Sequence, residues 1–134
     1  MITLLIAATL IVNLDAVQYI ESGNNPNAYN KITHARGLFQ ITPICLKDYN
    51  KFHGEKIKLN DLYNPVKNKK VAAWYLFVRI PELLNAYDIL ISETTVLWAY
   101  NAGAGNIKKN IMPGETKNYI KKYQKYLKER IKNE

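Results

Sequence analysis

The chain has 134 residues, a net charge of +8 and one cysteine, Cys45. That length supports one domain with its own core, without metal or disulfide, and a lone cysteine excludes an intrachain disulfide. The basic balance suits an anionic partner such as nucleic acid, a membrane surface or a cell wall bearing carboxylates and phosphates, while His34 and His53 lack the Cys or carboxylate company of a metal site.

From Met1 to Val12 the residues are apolar apart from two Thr, and no Lys or Arg precedes Lys31. A secretory signal ordinarily opens on a basic region, and a bilayer span needs about 20 apolar residues. The preferred reading is one buried helix over residues 2–21, with residues 1–14 as an export signal in the alternative. Within it Leu10, Leu14, Val17 and Glu21 recur at helical spacing, with Asp15, Gln18 and Tyr19 on the opposite side. A carboxylate that extends an inward face costs several kcal/mol unless paired or protonated, and such a setting raises its pKa towards that of a general acid. The alternative is a solvated Glu21 in a fraying last turn before Gly23. Helical geometry alone leaves both open.

Asn24 to Lys31 is dense in Asn, Gly and Pro, which predicts a loop, and Pro43 opens a helix through about Phe52. Residues 53–64 are polar and irregular. Pro65 starts a helix to about Ile80 with Val71, Trp74, Tyr75 and Val78 as its buried side, and Pro81 should end or kink it. Ser92 caps the next helix, with Glu93 in its first turn and Val96, Leu97, Tyr100 and Asn101 leading to a stop at Gly103 and Gly105. The last helix begins near Glu115. It is rich in Lys, and its stripe of Ile120, Tyr123, Leu127 and Ile131 either docks on the core or lies on an anionic membrane. No convincing strand pattern or repeat is present, so the fold class is mainly α in a single domain. Tyr residues scattered over several elements argue against nucleic acid as the partner.

Five blocks stand in one order: Glu21-Ser22-Gly23; Ala35-Arg36-Gly37-Leu38-Phe39-Gln40-Ile41; Asn64-Pro65 with Asn68 and Tyr75-Leu76; Ala99-Tyr100-Asn101-Ala102-Gly103; and Pro113-Gly114-Glu115-Thr116 with Tyr119. In that order, from about Asp15 to Tyr123, the chain resembles the catalytic domain of the soluble lytic transglycosylases, lysozyme-like enzymes that cleave the glycan strands of bacterial peptidoglycan. The resemblance implies a lysozyme-like helical domain with a glycan cleft, a catalytic region over residues 15–126 and a basic helix end over 127–134. It implies β-1,4 cleavage between N-acetylmuramic acid and N-acetylglucosamine by a single glutamate, acid first and base second, with help from the substrate's N-acetyl group. The product is a 1,6-anhydromuramoyl end.

Residue by residue, Glu21 matches that glutamate and Ser22 its Glu-Ser partner, whose hydroxyl also suits a helix end. Gln40 matches the glutamine lining the cleft, with a loop-fixing hydrogen bond as its structural alternative. Tyr100 and Asn101 match the Tyr-Asn pair, the tyrosine walling the site or serving as a core aromatic. Glu115 and Tyr119 match residues near the cleft, and Glu115 fits equally as a charge at a helix N-terminus. Asn64, Pro65 and Asn68 match a structural block. Asn30, Arg36 and Ala72 depart from the usual Ser, small or apolar residue, and Gly, which puts an acetamido contact and substrate preference in question. The implied partner is the peptidoglycan strand, with weak contact to anionic membrane or wall polymers, no nucleic acid and no cofactor. A monomer in the cell envelope, periplasmic or extracellular, is expected. The rivals are a goose-type-lysozyme-like hydrolase and a non-catalytic wall- or membrane-binding module.

Overall fold

A computed structural model describes residues 12–133. The segment expected to begin a helix at residue 2 lies outside these residues up to position 11, and the helix itself starts later. Val12 and Asn13 are not helical; Asn13 is extended and its side chain accepts the Ala16 N–H, which makes it the cap of α1, Leu14–Ser22. The reason is chemical: an Asn side chain satisfies an orphan N–H at a helix start better than it serves a helix interior. Gly23 ends α1 in the left-handed region at φ 62°, its N–H donating to the Tyr19 carbonyl, and this fixes Glu21 in the last full turn.

A loop held by isolated bridges from Arg36 to Tyr29 and Ile41 leads to α2, Pro43–His53, capped by Thr42. Within the irregular stretch that follows, a short 3₁₀ turn covers Leu59–Tyr63. Asn64 caps α3, Pro65–Trp74, and Pro81 does not end the helical run. A π-helical segment, Tyr75–Arg79, leads directly into α4, Ile80–Ala86, with the Ile80 N–H reaching back to the Tyr75 carbonyl. The widened turn absorbs the missing N–H and the ring of Pro81. It also shifts the helical register, so that Val78 is 44% exposed while Leu76, Ile80 and Leu84 are fully buried in line with Val71 and Ala72. The expected buried side therefore holds at Val71 and fails at Val78.

Ser92 caps α5, Glu93–Ala102, and Gly103 ends it; Gly105 is not a stop but sits inside the short α6, Ala104–Lys108. The last helix, α7, Gly114–Lys132, packs on α1 and α5. Its stripe is used by the core at Ile120, Tyr123 and Leu127, whereas Ile131 is 72% exposed because α7 runs past the domain. Docking on the core thus accounts for most of the stripe, and no helix among the described residues is long and apolar enough to cross a membrane. Tyr123 is wholly buried; its hydroxyl accepts the Asn13 N–H and donates to the Glu93 carboxylate, joining the starts of α1 and α5 to α7.

One core collects Val17, Phe39, Leu62, Val71, Leu76, Ile80, Leu84, Leu97 and Tyr123. Each such side chain contributes about 1.5–3 kcal/mol on leaving water. No strand occurs among the described residues, so the expected mainly helical single domain is what forms.

Candidate active site

Asn68 is the polar centre of the site's scaffold. It is fully buried, accepts the Phe39 N–H at 2.9 Å and donates to the carbonyls of Arg36 and Leu62, which pins the loop carrying Leu38, Phe39 and Gln40 onto α3. Gly37 must be glycine there: at φ 80° a Cβ would lie 2.3 Å from both the Asn68 amide and the Leu62 carbonyl. The pinned loop, the end of α1, the second half of α5 and the start of α7 surround a cleft of about 960 Å³.

Glu21 stands in its wall. Tyr119, nearly a hundred residues later on α7, is buried and donates its hydroxyl to the Glu21 carboxyl at 3.1 Å. Burial pushes the Glu21 pKa up to about 8; the Tyr119 hydrogen bond opposes that shift and the Glu115 charge adds to it. At neutral pH the acid is therefore mostly protonated. The alternative of a fraying last turn does not hold, since α1 is capped intact beyond Glu21, whose side chain is half-buried in the cleft wall.

Gln40, Tyr100, Asn101, Glu115 and Tyr119 line the same cleft as Glu21. Ser22 does not: its hydroxyl donates to the Gln18 carbonyl and accepts the Asn25 N–H, the helix-ending role. Gln40 adopts a left-handed φ of 51° and spends its amide N–H groups on the carbonyls of Ala28 and Gly37. Its amide oxygen makes no hydrogen bond among the described residues and is the end that remains for a ligand donor. Tyr100 likewise commits its hydroxyl, to the Phe39 carbonyl, so its contribution to the cleft is a fixed aromatic wall. The Asn101 side-chain Oδ1 accepts the Thr116 hydroxyl, which leaves its NH₂ as the free donor. Glu115 is exposed in the first turn of α7, where the helix dipole favours its charge.

Sequence reasoning missed Asn118 and Lys122, which line the cleft from α7. Their signal was spacing, since 115, 118, 119 and 122 share one helical face. Asn30 lines the cleft as well, but its side-chain oxygen caps the Ile32 and Thr33 N–H groups. Arg36 turns to the loop, its guanidinium 5.0 Å from the Tyr29 ring centroid and bonded to the His34 carbonyl, and does not line the cleft. Among the described residues no group of three His, Cys, Asp or Glu suits a metal ion.

A family model described as the transglycosylase SLT domain matches residues 11–129, most of the chain. The chain belongs to that family. The SLT transglycosylase domain accounts for the lysozyme-like helical architecture and for a general function of the lytic-transglycosylase type on the glycan strands of peptidoglycan, in the cell envelope. No curated protein and no solved structure matches the chain.

The Tyr119 contact yields a first prediction. A hydrogen bond to an ionised carboxylate is worth about 1.5–3 kcal/mol, and its loss in Tyr119→Phe should raise the Glu21 pKa by about one unit or more. The pH dependence of activity reads that shift; an unmoved profile would show that the hydroxyl does not act on Glu21.

Proposed function

We propose that this SLT transglycosylase cleaves the β-1,4 bond between N-acetylmuramic acid and N-acetylglucosamine, with Glu21 as acid and then as base. One observation carries the reading: the cleft offers a carboxyl held neutral by burial, Glu21, with its pKa at about 8. A proton on that carboxyl is what the leaving glycosidic oxygen must receive. Once the proton has gone, the same carboxylate can take the proton of the muramoyl 6-hydroxyl, while that oxygen closes on the anomeric carbon. Atoms balance without water, and the product is a 1,6-anhydro end.

Most glycosidases add a second carboxylate, about 5 Å away as nucleophile or about 6.5–9.5 Å away as base for water. Glu115 is the other carboxylate in the lining, and it supports a hydrolase as the second reading. Its exposed place at the α7 N-terminus suits a charge that solvent and the helix dipole stabilise, and that acts on Glu21 through its field.

The pH profile separates the two. With one group that starts protonated, kcat/KM on glycan strands should be flat through the acidic range and fall about tenfold per unit above the Glu21 pKa of about 8. A bell with an ascending acidic limb would report a second group that must be ionised, and would favour the hydrolase.

A further inference from the structure

Arg36 stands where the scaffold of the site meets one wall of the cleft. Its backbone belongs to the scaffold: the carbonyl accepts the Asn68 amide at 2.8 Å, and its N–H and carbonyl exchange hydrogen bonds with Ile41. Its side chain turns the other way, onto a hairpin over residues 28–37. That hairpin closes through the Tyr29–Arg36 bridge, the Asn30 N–H on the Ala35 carbonyl and the Gly37 N–H on the Ala28 carbonyl. Asn30, Thr33 and Ala35 carry its inner side into the cleft lining. The side-chain oxygens of Asn30 and Thr33 are engaged by N–H groups of the hairpin itself, so this wall meets a ligand chiefly by its shape and fixed position.

Three contacts hold the tip. The Arg36 guanidinium lies 5.0 Å from the Tyr29 ring centroid, its Nη1 donates to the His34 carbonyl at 2.7 Å, and the Tyr29 hydroxyl bonds the His34 Nδ1 at 2.7 Å. Together they impose on His34 a φ of 61°, a left-handed conformation that a residue other than glycine keeps only where its surroundings enforce it. The Arg36 Nε is buried and has no hydrogen-bond partner among the described residues. An apolar side chain would fill the same space without that cost, so the contribution of this residue lies in what the rest of its guanidinium holds.

We propose that Arg36 is a positioning residue, a clasp that ties the hairpin wall to the Asn68 scaffold and keeps the cleft preorganised for a glycan strand. The inference rests on the glycan-cleaving reading above and adds to it a residue that lies outside the cleft. Without the clasp the hairpin must be ordered as the strand binds, and fixing the backbone of a single residue already weakens binding about fivefold to thirtyfold. Glu21 on α1 and its partner Tyr119 on α7 lie outside the hairpin, so the loss falls on binding and not on bond cleavage.

The test is Arg36→Met, which keeps an apolar stem and removes the cation and its donors. It should raise KM for peptidoglycan strands about fivefold to thirtyfold with kcat unchanged. Tyr29→Leu breaks the same clasp from the other side, so the double variant should lose no more than the worse single one. Amide hydrogen exchange reads the hairpin directly: in Arg36→Met the Asn30 and His34 amides should exchange about tenfold faster, while the Phe39 amide, held by Asn68, keeps its rate. Strand binding to Glu21→Gln protein, with and without Arg36→Met, measures the same loss of affinity without turnover. A fall in kcat equal to the rise in KM, additive losses for Arg36→Met and Tyr29→Leu, or an unchanged KM would overturn the proposal, as would faster exchange at Phe39. If the wild type cleaves no strand, the glycan-cleaving reading fails by itself; selective loosening of the hairpin in Arg36→Met would then still uphold the clasp, and its absence would overturn it.

Discussion

Glu21→Gln should lower kcat for glycan cleavage by about 100-fold to 10,000-fold, the usual cost of losing acid or base assistance. The amide keeps the shape and the Tyr119 contact but carries no transferable proton. The same substitution should make the protein more stable, and the sign follows from proton linkage. The Glu21 pKa is raised from 4.5 to about 8 by folding, so between those values the native state binds a proton that the unfolded chain has released. Stability therefore falls as pH rises through that window and is level below and above it. At pH 7 the penalty amounts to about 3 kcal/mol, which the neutral amide does not incur. Thermal melts of both proteins against pH check this: the curves should meet below pH 4.5 and separate most above pH 8. Parallel curves would place the carboxyl in solvent, and a folded variant that keeps most of its activity would remove Glu21 from the mechanism.

The second large effect belongs to the scaffold. Gly37→Ala forces a Cβ within 2.3 Å of the Asn68 amide and the Leu62 carbonyl, at a φ of 80° that Ala resists. Asn68 cannot yield without breaking its bonds to Phe39, Arg36 and Leu62. Backbone strain plus lost buried hydrogen bonds should cost about 3–5 kcal/mol and lower Tm by at least about 10 °C. Gly105→Ala is the control. A Cβ there meets nothing and the residue lies within α6, so stability should hold or rise by about 0.5–1 kcal/mol. Similar Tm losses for the two variants would show that the Gly37 contact is not what fixes the loop.

The helix starts were the most legible parts of the fold. Pro43, Pro65 and Ser92 were expected to open helices and do, and the side chains of Thr42, Asn64 and Ser92 each accept a backbone N–H of the helix that follows. What sequence reasoning missed came from backbone geometry that composition does not announce. A π turn ahead of Pro81 moved the buried face from Val78 to Leu76 and Ile80, and an Asn in an apolar run became a cap rather than a mid-helix residue. In the site, motif order identified the residues that meet in the cleft, yet it could not say how their polar atoms are spent. Gln40 and Tyr100 hold the loop with groups that also suit sugar contacts, and Ser22 closes a helix.

The most direct test of a single carboxyl serving as acid and then base is mass spectrometry of the fragments released from purified peptidoglycan strands. The account predicts muramoyl ends lighter by one water than reducing ends, with Glu115→Gln retaining substantial activity. Reducing ends from the wild type, together with a Glu115→Gln protein as inactive as Glu21→Gln, would contradict it and establish a hydrolase with two carboxylates.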